Sequence, residues 1–155
     1  TSCGQDGNIY FFDLYQPGGE QGKRNLQWDA NRRDMKFSSV VNVPNRPYQF
    51  IAVGSEKIIF TETKDLKAVP RITADNPQPV ADYPRVPHYL SQLVVHHSGK
   101  IFFAGVGDLN GQAQHPGAIQ VWKLPFEKAS EIQAHASSIT RMSITHSNTH
   151  LFSAG

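Results

Sequence analysis

At 155 residues with 39% apolar side chains, the chain is long enough to bury one ordinary core. A net charge of +2 from only 18% charged residues, with no Lys/Arg run and no Gly-rich phosphate loop, argues against nucleic acid as a partner. Cys3 is the only cysteine, which excludes an internal disulfide framework and fits a reducing compartment. No run approaches the roughly 18 apolar residues that a membrane span needs, so no membrane partner is expected and the expectation is a soluble, intracellular protein.

The chain opens inside what reads as a turn and strand. Ser2-Cys3-Gly4 ends one short run, and Ile9 to Leu14 forms the next. Because Thr1 falls inside this apparent motif, the expectation is a segment of a longer chain. Arg24 to Asp29 is a weaker strand candidate. From there the same grammar recurs: Phe37 to Val43, Phe50 to Val53, Ile58 to Thr63 and Lys67 to Thr73; then Leu90 to His96, Ile101 to Ala104, Ile119 to Leu124 and Ala129 to Gln133; then Ile139 to Thr145 and Leu151 to Ala154. These runs are rich in β-branched and aromatic residues and are bounded by Gly, Pro, Asn, Asp or Ser.

The repeat is metrical. Gly4, Gly54, Gly105 and Gly155 each close an apolar run, at successive intervals of 50, 51 and 50 residues. Four short strands per unit with no helical periodicity predict an all-β fold, and a four-stranded unit of this size is the blade of a β-propeller. The predicted organisation is one segment, residues 1–155: 1–30 end a blade, 37–73 and 90–134 are two complete blades, and 138–155 begin another. A β-sandwich is the competing architecture, but it has no reason to repeat one four-strand pattern at constant interval.

With those residues in view, the sequence resembles the WD-repeat family. Its blades run from a Gly-His-like start, through Ser-Gly-x-x-Asp-Gly in the turn between second and third strands, to Trp-Asp closing the third. Here Ser2-Cys3-Gly4-Gln5-Asp6-Gly7 fits the turn, and Phe12-Asp13 takes the Trp-Asp position. Trp122-Lys123 keeps the tryptophan and loses the aspartate, while Ala134-His135 followed by Ile139 and Met142 fits the start of the next blade. In the family a His, a Ser or Thr, the turn Asp and the Trp ring N–H form a buried hydrogen-bonded chain. Phe12 cannot donate to one, and His135 would find its Asp and Trp partners beyond Gly155.

The resemblance narrows to the cilia- and flagella-associated WD-repeat proteins. Residues 50–59, 94–107, 117–126 and 131–145 carry it, most specifically Lys123-Leu124-Pro125 and Gln133-Ala134-His135-Ala136. The Pro-rich linker at 75–87 and the loop at 106–117 depart from the pattern. What the resemblance implies is a non-enzymatic scaffold of the axoneme in the cilium or flagellum. Its implied partners are tubulin doublets, inner dynein arm components and other cilia- and flagella-associated proteins.

Two segments are the candidate partner-contact loops. Ala74 to His88 reads as the linker between blades, held extended by Pro77, Pro79, Pro84 and Pro87, with Tyr83 and Arg85 among them. Val106 to Gly117 reads as the loop between second and third strands and offers Asp108, Asn110, Gln112, Gln114 and His115. In an antiparallel blade both connections leave at the same end, so both loops are expected on one face. A surface insertion with no partner is the competing reading of each. Tyr15 to Lys23, at the opposite end, reads as a flexible tip.

Other chemistry is weaker. His96-His97 and the pair His146 and His150 fall in equivalent turns that the fold separates by one blade, without Cys or carboxylates at zinc-ligand spacing, so they read as turn residues rather than metal ligands. Cys3 with a histidine would make a nucleophile and base, but Cys3 sits in a small-residue strand slot and reads as a packed thiol. Glu56, Glu62, Asp65, Glu127 and Glu131 read as solvated edge charges without paired partners. Phe11, Phe12, Phe60, Phe102, Phe103 and Trp122 read as core rather than as a stacking platform. No catalytic residue and no cofactor is therefore expected. The rivals to an axonemal scaffold are a WD-repeat adaptor outside cilia and an all-β enzyme or metal protein using the histidines.

Overall fold

The computed structural model describes residues 2–4, 8–12, 23–27, 36–46, 49–54, 57–62, 81–82, 89–107, 116–124 and 127–155. Among them there are strands and turns and no helix. In chain order the strands are β1 (Ser2–Cys3), β2 (Asn8–Phe12), β3 (Lys23–Gln27), β4 (Phe37–Asn42), β5 (Gln49–Gly54), β6 (Lys57–Glu62), β7 (Ala81–Asp82), β8 (Tyr89–Val95), β9 (Ile101–Gly107), β10 (Gly117–Lys123), β11 (Glu127–His135), β12 (Arg141–Ile144) and β13 (Leu151–Ala154). They form four antiparallel sheets, β1-β2-β3, β4-β5-β6-β7, β8-β9-β10-β11 and β12-β13, none of which closes on itself.

Every sheet is a meander, in which each strand pairs antiparallel with its sequence neighbours. Successive sheets then lie side by side through their first strands: β1 packs near β4, β4 and β5 near β8, and β8 near β12. The pleat divides the apolar residues of the third sheet between two interfaces. Leu93, Val95, Phe102, Ala104, Ala118 and Trp122 join Val43, Ile51, Val53 and Ile58 of the second sheet in one core. The alternate residues Val94, Phe103 and Ile119 meet Ile139, Met142 and Leu151 on the other side. A period of two thus fills two cores from one sheet.

The second sheet departs from the expected strand bounds. Lys67 to Thr73, expected as its fourth strand, lies outside the described residues. The fourth strand is Ala81–Asp82, inside the segment expected to be linker, with Ala81 opposite Phe60 and Asp82 opposite Ile59. Pro79 and Pro84 bracket these two residues, and neither proline has an N–H to extend the ladder. The corresponding β11 has no proline and runs nine residues.

Gly54 is required by close approach. It pairs with Phe37 at the start of β4, and a Cβ there would drive into the backbone carbonyl of Lys36.

Candidate functional site

Strand directions assign the loops to two ends of the stacked sheets. The turns after β4, β8 and β12 lie at one end, which we call the upper end. β6 finishes at Glu62 and β7 starts at Ala81 at that same end. β7 finishes at Asp82, β8 starts at Tyr89, β9 finishes at Gly107 and β10 starts at Gly117 at the lower end.

This revises the expectation that residues 74–88 are a single connection beside the 106–117 loop. Because β7 interrupts the segment, Pro77 and Pro79 precede β7 in a connection anchored at the upper end, whereas Tyr83 and Arg85 follow it in one anchored at the lower end. Asp108, Asn110, Gln112, Gln114 and His115 belong to the connection between β9 and β10, also anchored at the lower end. All nine of these candidates lie outside the described residues, as do Asp6 and Asp13. Gly4, Phe12, Gly54, Gly105, Trp122, His135 and Gly155 are described.

Near the lower end a serine hydroxyl joins the second sheet to the third and another joins the third to the fourth. Ser38 sits at a β-bulge in β4, between Phe37 and Ser39 in the pairing with β5. Its Oγ is shared between the Val53 carbonyl of its own sheet, at 3.0 Å, and the Leu90 carbonyl of the following sheet. Ser91 sits at the equivalent bulge in β8 and is shared in the same way between Gly105 O, at 3.3 Å, and Ile139 O. Thr140 donates to Ala154 O at 3.3 Å. Backbone bonds reinforce the series: Phe37 N donates to Gly4 O at 3.1 Å and Ile139 N to Val106 O at 3.0 Å. Sequence reasoning missed this bridge, although its signal is visible as a hydroxyl following the first apolar residue of each unit in Phe37-Ser38, Leu90-Ser91 and Ile139-Thr140.

Two polar chains follow. His135 Nε2 and Ser153 Oγ are 2.8 Å apart and part-buried, a His–Ser contact of the kind the WD-repeat resemblance implies. Trp122 behaves differently. Its Nε1 donates to Gln120 Oε1 at 3.3 Å, and Gln120, only 1% exposed, donates through Nε2 to Glu131 Oε2 at 3.3 Å. Lys128 Nζ stands 2.6 Å from the same carboxylate oxygen, and Gln133 donates to Oε1 at 3.4 Å. The chain runs from the core to the outer strand, as the register opposite Gln120 and Glu131 requires. Glu131 is therefore no unpaired edge charge. Glu127 also has a partner, Lys123, at 3.8 Å, although both side chains are exposed. Cys3 lies in β1 and is half-buried.

The upper end carries a second surprise. The turns at residues 43–46, 96–100 and 145–150 stand side by side, and Asn45, Gly99 and Asn148 hold left-handed conformations at φ of 62°, 65° and 60°. Asn45 Nδ2 reaches His97 O at 3.5 Å, and His97 N donates to Asn148 Oδ1 at 3.3 Å. The His97 and His146 rings meet edge to face, with centroids 5.6 Å apart. The expected separation of the histidine pairs is thus corrected: neighbouring sheets bring equivalent turns into contact. His96 Nδ1 is 2.8 Å from Ser98 Oγ and His150 Nδ1 is 2.8 Å from Thr149 Oγ1. Among the described residues, no group of three or more His, Cys, Asp or Glu converges.

No family profile matches the chain. A stretch of 67 residues, 43% of the chain, is 40% identical to Cilia- and flagella-associated protein 57 A of Tetrahymena thermophila, and covers 5% of that protein's length. Over that stretch the chain is similar to a small part of a cilia- and flagella-associated protein.

Proposed function

We propose that this chain is a segment of a WD-repeat β-propeller in a cilia- and flagella-associated protein, and that it serves the axoneme as a non-enzymatic scaffold. The observation that carries the ciliary reading is the 40% identity over 67 residues to the Tetrahymena protein. The propeller reading is supported by meander sheets that succeed one another through their first strands, with an equivalent serine hydroxyl bridging the second sheet to the third and the third to the fourth.

Recognition on this reading is by preformed shape. The sheets hold their connections in fixed relative positions, and a partner meets loops whose anchors do not move on binding. The partners are axonemal proteins, namely doublet tubulin, inner dynein arm components or neighbouring cilia- and flagella-associated subunits. The lower-end connections bearing Tyr83, Arg85, Asp108, Asn110, Gln112, Gln114 and His115 are the proposed contact.

The test is to tag the full-length protein at its own locus in ciliated cells. Fluorescence confined to cilia is the expected result, and an even distribution through the cell body would favour an adaptor outside cilia. Replacing residues 108–115 with a short Gly-containing turn should preserve folding and weaken recruitment; unchanged recruitment removes this loop from the interface.

A further inference from the structure

We propose that His97 and His146 form a bis-imidazole site for a late first-row divalent cation such as Zn²⁺ at the upper junction between the third and fourth sheets. The site is defined by this junction's geometry, whatever the ciliary role of the chain. Two imidazoles bound to one tetrahedral cation through bonds of about 2.1 Å place their ring centroids about 5 Å apart. The observed separation of 5.6 Å, with an interplanar angle of 83°, is close to that spacing, and both residues are exposed, where side chains can turn to offer a nitrogen.

The backbone is already fixed for this. His97 donates its amide to Asn148 Oδ1, two residues beyond His146 in the facing turn. The left-handed residues Gly99 and Asn148 stand two positions after His97 and His146 respectively, so both turns present their histidines in the same way. Gly99 is needed there twice over, because its φ of 65° is strained for most side chains and a Cβ would approach Pro44 O to 2.9 Å.

The donor set selects the cation class. Neutral imidazole nitrogens without a converging carboxylate suit Zn²⁺, Cu²⁺ or Ni²⁺ and not the oxygen-seeking Mg²⁺ or Ca²⁺. Two protein ligands leave the remaining positions to water, so the site is labile and of modest affinity. His96 and His150 have Nδ1 engaged by Ser98 and Thr149 and are not needed. A cation held by both rings links adjacent sheets and therefore stabilises the folded chain.

Thermal unfolding of the purified protein in ZnCl2 or MgCl2 tests this. Zinc at about ten times its dissociation constant should raise the melting temperature by about 2–5 °C, and magnesium should leave it unchanged. The zinc-dependent rise should vanish in H97Q and in H146Q and persist in H150Q and in Cys3→Ser. With Cu²⁺ as probe, the electron paramagnetic resonance spectrum should show two coupled nitrogens in the parent protein and fewer in either of the first two variants. No zinc-dependent rise, or a rise that survives H97Q, overturns the proposal, as does a copper spectrum that H97Q and H146Q leave unchanged.

Discussion

Phe102 and Leu151 occupy equivalent places on the second strand of neighbouring sheets, opposite Val95 and Ile144 respectively, yet Phe102 is fully buried and Leu151 half-buried. The two side chains meet different surroundings. In the sheet β8-β11, β10 pairs with β9 and sets Trp122 opposite Phe102, with the rings parallel and 6.1 Å apart. Leu151 packs instead against Ile119, Ile139 and Met142. Phe102 thus draws its burial both from the second sheet and from the Trp122 ring beside it on β10, and strand position alone does not determine how much a residue stabilises.

The largest effect that probes this comparison is Phe102→Ala. It should cost about 3–5 kcal/mol in denaturant unfolding, because it removes a buried ring and leaves a cavity beneath Trp122. A cost under about 1 kcal/mol would mean that the third sheet repacks and that the stack does not hold it. Trp122→Phe is a sharper variant. It keeps a ring over Phe102 but removes the N–H that Gln120 accepts inside the core, and should cost about 1–3 kcal/mol. Next in size is the hydroxyl bridge: Ser38→Ala and Ser91→Ala should each cost about 1–2 kcal/mol, and the double variant should be additive if each serine acts at its own junction. Marked non-additivity would show the junctions to be coupled.

The strands were legible because their signals are local. A β-branched run ending in glycine reads the same in Phe50 to Gly54 as in Ile101 to Gly105, and both lie in strands. β7 was illegible for the same reason, since a strand of two residues carries no periodicity. That one strand altered the functional map, moving Pro77 and Pro79 to a connection anchored at the other end from Tyr83 and Arg85. The remaining misses are relations between units. Glu131 looks like a free edge charge until the register sets it opposite Gln120. His97 and His146 are 49 residues apart in the chain, and only the neighbouring placement of equivalent turns brings their rings together. A repeat read along the chain shows what each unit contains; the contacts between units depend on how one sheet sits against the next.

A scaffold fixed to the axoneme stays with it once the ciliary membrane is removed. Isolated cilia stripped of membrane and matrix by detergent test it most directly, with the tagged full-length protein followed by immunoblot. The account predicts that the protein stays with the axonemal pellet at physiological salt; quantitative release into the detergent-soluble fraction would contradict it.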